Sequence, residues 1–123
     1  MKAWLQSADL SSVDLDLHVE GAIRTLHGHD WAAEAARRAA LERAGDECCE
    51  AGLGLVRDDG HILHLCPVGA TATVYHHSRV RMLGGLWRRN RLLTRPSFPL
   101  AGAADLIRAF YAGNDALLAK RLA

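Results

Sequence analysis

Histidine and cysteine come first, because imidazole and thiolate are the usual zinc ligands and the usual partners in nucleophilic catalysis. The chain has seven histidines and three cysteines. They cluster as His27-Gly28-His29-Asp30, Cys48-Cys49, His61-Ile62-Leu63-His64-Leu65-Cys66 and His76-His77. A zinc site needs several ligands converging on one point, and none of these spacings is a zinc pattern. On a strand His61 and His64 point to opposite faces, as do His76 and His77, which leaves only His64 and Cys66 on a common face. The expectation is no metal and no cofactor, with the histidines on a wet sheet face or hydrogen-bonded in the core, and a small metal-binding domain is the alternative. Adjacency strains a Cys48-Cys49 disulfide, and the bracketing Glu47 and Glu50 disfavour thiolate, so the cysteines read as reduced and structural. No Gly-x-Ser-x-Gly elbow is present, and the glycine pairs Gly52-x-Gly54 and Gly84-Gly85 lack the third glycine or the Walker lysine of a phosphate cradle. The paired carboxylates Asp14/Asp16 and Asp58/Asp59 look like a solvated strand face and turn chemistry. The chain is therefore expected not to be an enzyme.

What these residues do carry is charge, and it is segregated. Residues 1–60 hold twelve carboxylates and six Lys or Arg, net −6, whereas residues 61–123 hold two and nine, net +7, so the overall +1 conceals a chain polarised along its length. Arg79, Arg81, Arg88, Arg89, Arg91 and Arg95 lie in a stretch with no acid. Either the two halves pack together and neutralise one another, or each faces an ionic partner. With Tyr75 and Trp87 nearby as stacking surfaces, the arginine stretch can lie along a nucleic-acid backbone, or it can be an ordinary solvated strand. A pI near 7.8 is low for a dedicated nucleic-acid domain. An acidic face and a basic hairpin can also join two copies, head to tail or as a two-fold dimer.

These residues must be positioned by secondary structure that the sequence partly spells out. Val13, Leu15, Leu17 and Val19 alternate with Asp14, Asp16, His18 and Glu20, the signature of a strand with one buried and one wet face. A weaker strand precedes it at Ala3–Leu5. Asp30 caps an alanine-rich helix, residues 31–44, that Gly45 ends; its methyl face is expected to press on a sheet, with Trp31 and Leu41 on the opposite side against a loop or a partner. Leu53, Leu55 and Val56, then Asp58-Asp59-Gly60, then Ile62, Leu63 and Leu65 read as a hairpin. Thr71 to Val80 is a further strand, and a Gly84-Gly85 turn folds Leu86 to Arg95 back on it, unless Leu86 to Leu93 is a short helix. After Pro96 and Pro99, Ala103, Leu106, Ile107 and Phe110 mark an amphipathic helix closed by Gly113, and Asn114 caps a last one from Asp115 to Leu122. The assembly expected is one α+β domain spanning residues 1–123, an antiparallel sheet of about four to five strands with the alanine-rich and C-terminal helices packed on it.

A chain of 123 residues, half of them hydrophobic and 24% charged, supports one ordinary core and is not globally disordered. No apolar run reaches membrane length, so a cytoplasmic protein with no membrane contact is expected. The closing segment Leu100-Ala101-Gly102-Ala103-Ala104-Asp105-Leu106-Ile107-Arg108-Ala109-Phe110-Tyr111-Ala112-Gly113-Asn114, led by Arg95-Pro96, resembles the terminal helix of small bacterial immunity proteins that neutralise contact-delivered or secreted toxins. The alanine- and arginine-rich composition also looks like that of a GC-rich bacterial genome. The resemblance implies an inhibitor that binds a cognate toxin, such as a nuclease, and fills its cationic cleft with an acidic face. Asp14, Asp16 and Glu20, joined by Asp46, Glu47, Glu50, Asp58 and Asp59, are the candidate partner-binding residues.

Overall fold

The period-two stretches assemble into one antiparallel sheet. The computed structural model describes residues 1–82, 84 and 87–123, with the backbone alone at 80–82, 87 and 88. The strands are β1 (Lys2–Gln6), β2 (Ser12–Asp16), β3 (Gly52–Val56), β4 (Ile62–Val68), β5 (Thr71–Met82) and β6 (Trp87–Pro99), side by side in the order β2-β1-β3-β4-β5-β6. Four helices accompany them: α1 (Val19–Gly28), α2 (Trp31–Ala44), α3 (Ala103–Tyr111) and α4 (Asp115–Leu122). The α+β class holds, with six strands rather than four to five. The weak Ala3–Leu5 stretch is part of a full interior strand, β1, bonded to β2 on one side and β3 on the other.

Register explains the core. Ala3, Leu53, Leu55, Leu63, Leu65, Val74 and His76 fall on one face and are buried there. Ala22 and Leu26 of α1, Leu106, Ile107 and Phe110 of α3, and Leu118 and Leu122 of α4 join the same cluster. The expected caps are in place: Asp30 accepts from the Ala33 N–H, Asn114 accepts from the Leu117 N–H, and Gly45 takes the left-handed conformation that ends α2.

Three expectations need correction. The strand expected over residues 13–20 stops at Asp16, and α1 begins at Val19. Val19, Ala22, Ile23 and Leu26 recur at i, i+3, i+4 and i+7, and this helical period takes over where the alternation ends. Glu20 consequently sits in the first turn of a helix rather than beside Asp14 and Asp16. Second, the alanine face of α2 does not press on the sheet: Ala32, Ala33, Ala35, Ala36 and Ala40 are exposed. The side bearing Trp31, Glu34, Arg38 and Leu41 turns inward instead. The half-buried Trp31 indole packs against the core, and its N–H donates to the Leu26 carbonyl at 2.6 Å. Glu34 accepts from the Ala8 N–H at 2.7 Å, fixing α2 against the β1–β2 turn at one end of the sheet. Third, the strand expected to fold back up to Arg95 is there, not the alternative short helix, but β6 runs on through Pro96 to Pro99. It is an edge strand, where a missing N–H costs no ladder bond, and the register slips near the prolines, with Ser97 at a positive φ of 54°. Gly85 and Leu86, part of the expected turn, lie outside the described residues.

Candidate functional site

The second face of the sheet has no share in that core. Antiparallel register lines up Asp14, Trp4, Gly54, His64, Tyr75 and Thr94 in one row across it. The next row is Asp16, Lys2, Val56, Ile62, His77 and Leu92. The middle of each row is half-buried and the ends are exposed. Gly54 makes the first row possible, because a Cβ there would lie 2.2 Å from the Trp4 ring, so the indole lies flat across β3. Its centroid is 5.4 Å from that of His64, and His64 is 5.9 Å from Tyr75, so three rings run across four neighbouring strands. Trp4, Gly54 and His64 were not singled out as a surface by sequence reasoning. The Gly52-x-Gly54 pair was the available signal, read only as a failed phosphate cradle.

From this face an arm projects. Ile62 pairs with His77, so beyond that point β4 is spent, and residues 78–82 pair only with residues 87–91. This two-stranded ribbon contains Arg79, Arg81, Arg88, Arg89 and Arg91, with Arg95 farther back. Arg79, Arg89 and Arg91 are exposed. Among the described side chains no ion pair joins Arg79, Arg89 or Arg91 to a carboxylate. Arg95 is spent otherwise, donating to the Ala123 carbonyl at 2.7 Å.

The two oppositely charged halves do not neutralise each other through this arm. Part of the charge of the acidic half is matched within it: Asp9 bonds Arg37, Arg38 bonds Glu42 at 3.2 Å and approaches Glu50 at 3.9 Å, and Asp59 bonds Arg57 at 2.8 Å. Asp16 pairs with the N-terminal ammonium at 2.8 Å, and Glu20 reaches Arg108 at 3.3 Å. Tyr75 donates to Glu50 at 3.0 Å. The bonds to Ser11 and to the ammonium hold the carboxyls of Asp9 and Asp16, respectively, below the usual range. Of the eight candidate acids, Asp14 and Asp16 stand on the β2 edge and Glu20 on α1, Asp46, Glu47 and Glu50 in the α2–β3 loop, and Asp58 and Asp59 in the β3–β4 turn. The α2–β3 loop and the β3–β4 turn lie at opposite ends of β3, so the structure gathers these acids into no single face.

The histidines do meet, though not where alternation suggested. His61, His76 and Asp115 each bring a possible ligand atom within 4.8 Å of the others. Arg57, 7% exposed, already occupies that junction. Its guanidinium donates to Asp115 at 2.8 Å, to Asp59 at 2.8 Å, to the Phe110 carbonyl at 3.0 Å and to His61 Nδ1 at 2.9 Å. The guanidinium supplies the positive charge and the donors a cation would bring, and it uses the imidazole lone pair, so these side chains do not fit a metal. The Arg57 bond holds Asp59 down to about 2 and also lowers Asp115. Arg57 thereby ties the β3–β4 turn to the end of α3 and the start of α4, a role that no local spacing announces. His64 and Cys66 do share a face, with 3.7 Å between Nε2 and Sγ, but burial pushes the Cys66 thiol up to about 12, far from a thiolate.

No family model matches the chain, no curated protein matches its sequence, and no solved structure matches its fold. Among the described residues no helix is long and apolar enough to cross a membrane.

Proposed function

We propose that this chain is a non-catalytic nucleic-acid-binding module that works through the β5–β6 arm and the aromatic row beside it. The arm carries the reading: a narrow cationic ribbon extends beyond the sheet, in a stretch with no carboxylate between Asp59 and Asp105. Such a ribbon follows a phosphate backbone, and each phosphate it neutralises frees a condensed counterion. Trp4, His64 and Tyr75 offer rings to unstacked bases, which favours single strands over duplex. The near-neutral net charge is compatible with this, because several of the acids are paired with bases away from the arm, and Arg79, Arg89 and Arg91 have no ion pair among the described residues.

Fluorescence anisotropy of a single-stranded oligonucleotide over a salt series tests it. Three or four neutralised phosphates give a slope of log K against log salt of about −2 to −3. Arg89→Gln with Arg91→Gln should weaken binding and flatten that slope by about 1. Absence of binding at low salt rejects the reading.

A second reading keeps the resemblance to immunity proteins, an inhibitor of a cognate toxin. It is favoured by the open β2 edge, where Val13 is 57% exposed and Asp14 has no ion pair among the described residues. A partner strand can add there. Reversing Asp14 and Asp16 to Lys should abolish binding to a toxin encoded beside this chain and leave oligonucleotide binding intact.

A further inference from the structure

At the base of the arm, on the face of the sheet that carries Tyr75 and His77, lies a notch of about 210 Å³ lined by Gly60, Ile62, His77, Ser78, Arg79, Asn90 and Arg91. None of the residues lining it is an Asp or Glu; His77, Arg79 and Asn90 belong to this face, and Ser78 and Arg91, paired with each other on the alternate face, border it. Arg79 and Asn90 are cross-strand partners, so their side chains meet on one face. Gly60 keeps one wall low: a Cβ there would stand 3.9 Å from Arg79 Nε. Asp59, next to Gly60 in the chain, is tied to Arg57 at 2.8 Å, and Asp58 is exposed in the same turn. A concave set of donors with no competing anion suits a compact oxyanion with several free oxygens, whereas the convex ribbon farther out suits diesters.

We propose that this notch seats a phosphate monoester, the terminal phosphate of a single strand bound along the arm. The inference rests on the nucleic-acid reading above for the source of the phosphate, and on the notch alone for its chemistry. Tyr75, His77 and Arg79 follow one another on the same face of β5, each step about 7 Å. The base of a neighbouring nucleotide can therefore stack on the Tyr75 ring while the terminal phosphate sits between Arg79 and Asn90. A small phosphate ester carries the same group and is the other source.

The test compares oligothymidines bearing a 5′-phosphate, a 3′-phosphate or neither by anisotropy, and separately titrates inorganic phosphate while following amide shifts of Gly60, Ser78 and Arg79 by NMR. One terminally phosphorylated form should bind roughly tenfold tighter than the unmodified strand, as one extra charge-assisted contact gives. Arg79→Gln and, separately, Asn90→Ala should each reduce that preference, while the unmodified strand still binds with its salt dependence. If all three strands bind equally and inorganic phosphate moves none of those amides, the seat is overturned and the module reading survives. If no strand binds but inorganic phosphate shifts those amides in the parent and not in Arg79→Gln, the seat stands for a small ester and the module reading falls. If neither binds, both fall.

Discussion

His76 is the residue whose burial has the clearest consequence. It is 2% exposed, neither ring nitrogen has a protein partner, and it lies edge-on to Phe110 at 6.2 Å and 5.9 Å from His61. Burial lowers its pKa, the neighbouring His61 and Arg57 add to the effect, and Asp115 opposes it. The folded protein holds this imidazole neutral, whereas the unfolded chain takes up a proton near pH 6.5. The unfolded state then binds more protons, so this contribution to stability is intact above the unfolded value and is lost as pH falls through it toward the lower folded value. His64, whose pKa burial also lowers, adds to the same window. Urea unfolding at pH 7 and pH 5 should show lower stability at pH 5, and His76→Leu should shrink the difference. Because an unmatched buried ring nitrogen is costly, that variant should gain about 1 kcal/mol at pH 7. An unchanged pH difference in His76→Leu would remove the buried imidazole from this account.

Among the elements, β3 shows how a glycine decides what a surface is. With no side chain at Gly54, Trp4 lies across the sheet and touches His64; a methyl group there must push the indole off. Gly54→Ala should cost about 1–3 kcal/mol by overpacking. It should also alter the intrinsic tryptophan fluorescence, which retention of the parent spectrum would contradict. Legibility in the sequence divides along the same line. Elements specified by neighbouring residues were readable: the Asp30 and Asn114 caps, Gly45, the turn at Asp58-Asp59-Gly60, and the apolar stripe of Leu106, Ile107 and Phe110. What depends on distant partners was not. The inward side of α2 is set by Leu26 and Ala8, the interior place of β1 by β3, and the Arg57 junction by Asp115 and Phe110. The candidate acids stand on separate elements for the same reason, since similar charge in sequence carries no information about which strand ends meet. The arginine stretch fared better because a hairpin keeps sequence neighbours together in space.

For the whole molecule, the strand order has a consequence in time. From β3 to β6 each strand pairs with the next, through short turns such as the one between Val68 and Thr71. Pairing β1 with β3 instead joins Leu5 to Leu53 across α1 and α2, a contact between distant parts of the chain. Closing that long loop costs entropy before any contact rewards it, so the meander of β3 to β6 should condense first and the β1–β2 hairpin dock late. Val74→Ala, inside the meander, should then slow refolding, whereas Ala3→Gly should chiefly hasten unfolding, as the two limbs of a chevron plot would show. Equal effects on both limbs for both variants would point to a single diffuse nucleus. On the late-docking order, the first native-state opening also peels β1 and β2 away together, and with them Trp4, so the aromatic row would be dismantled while the arginine arm still stands.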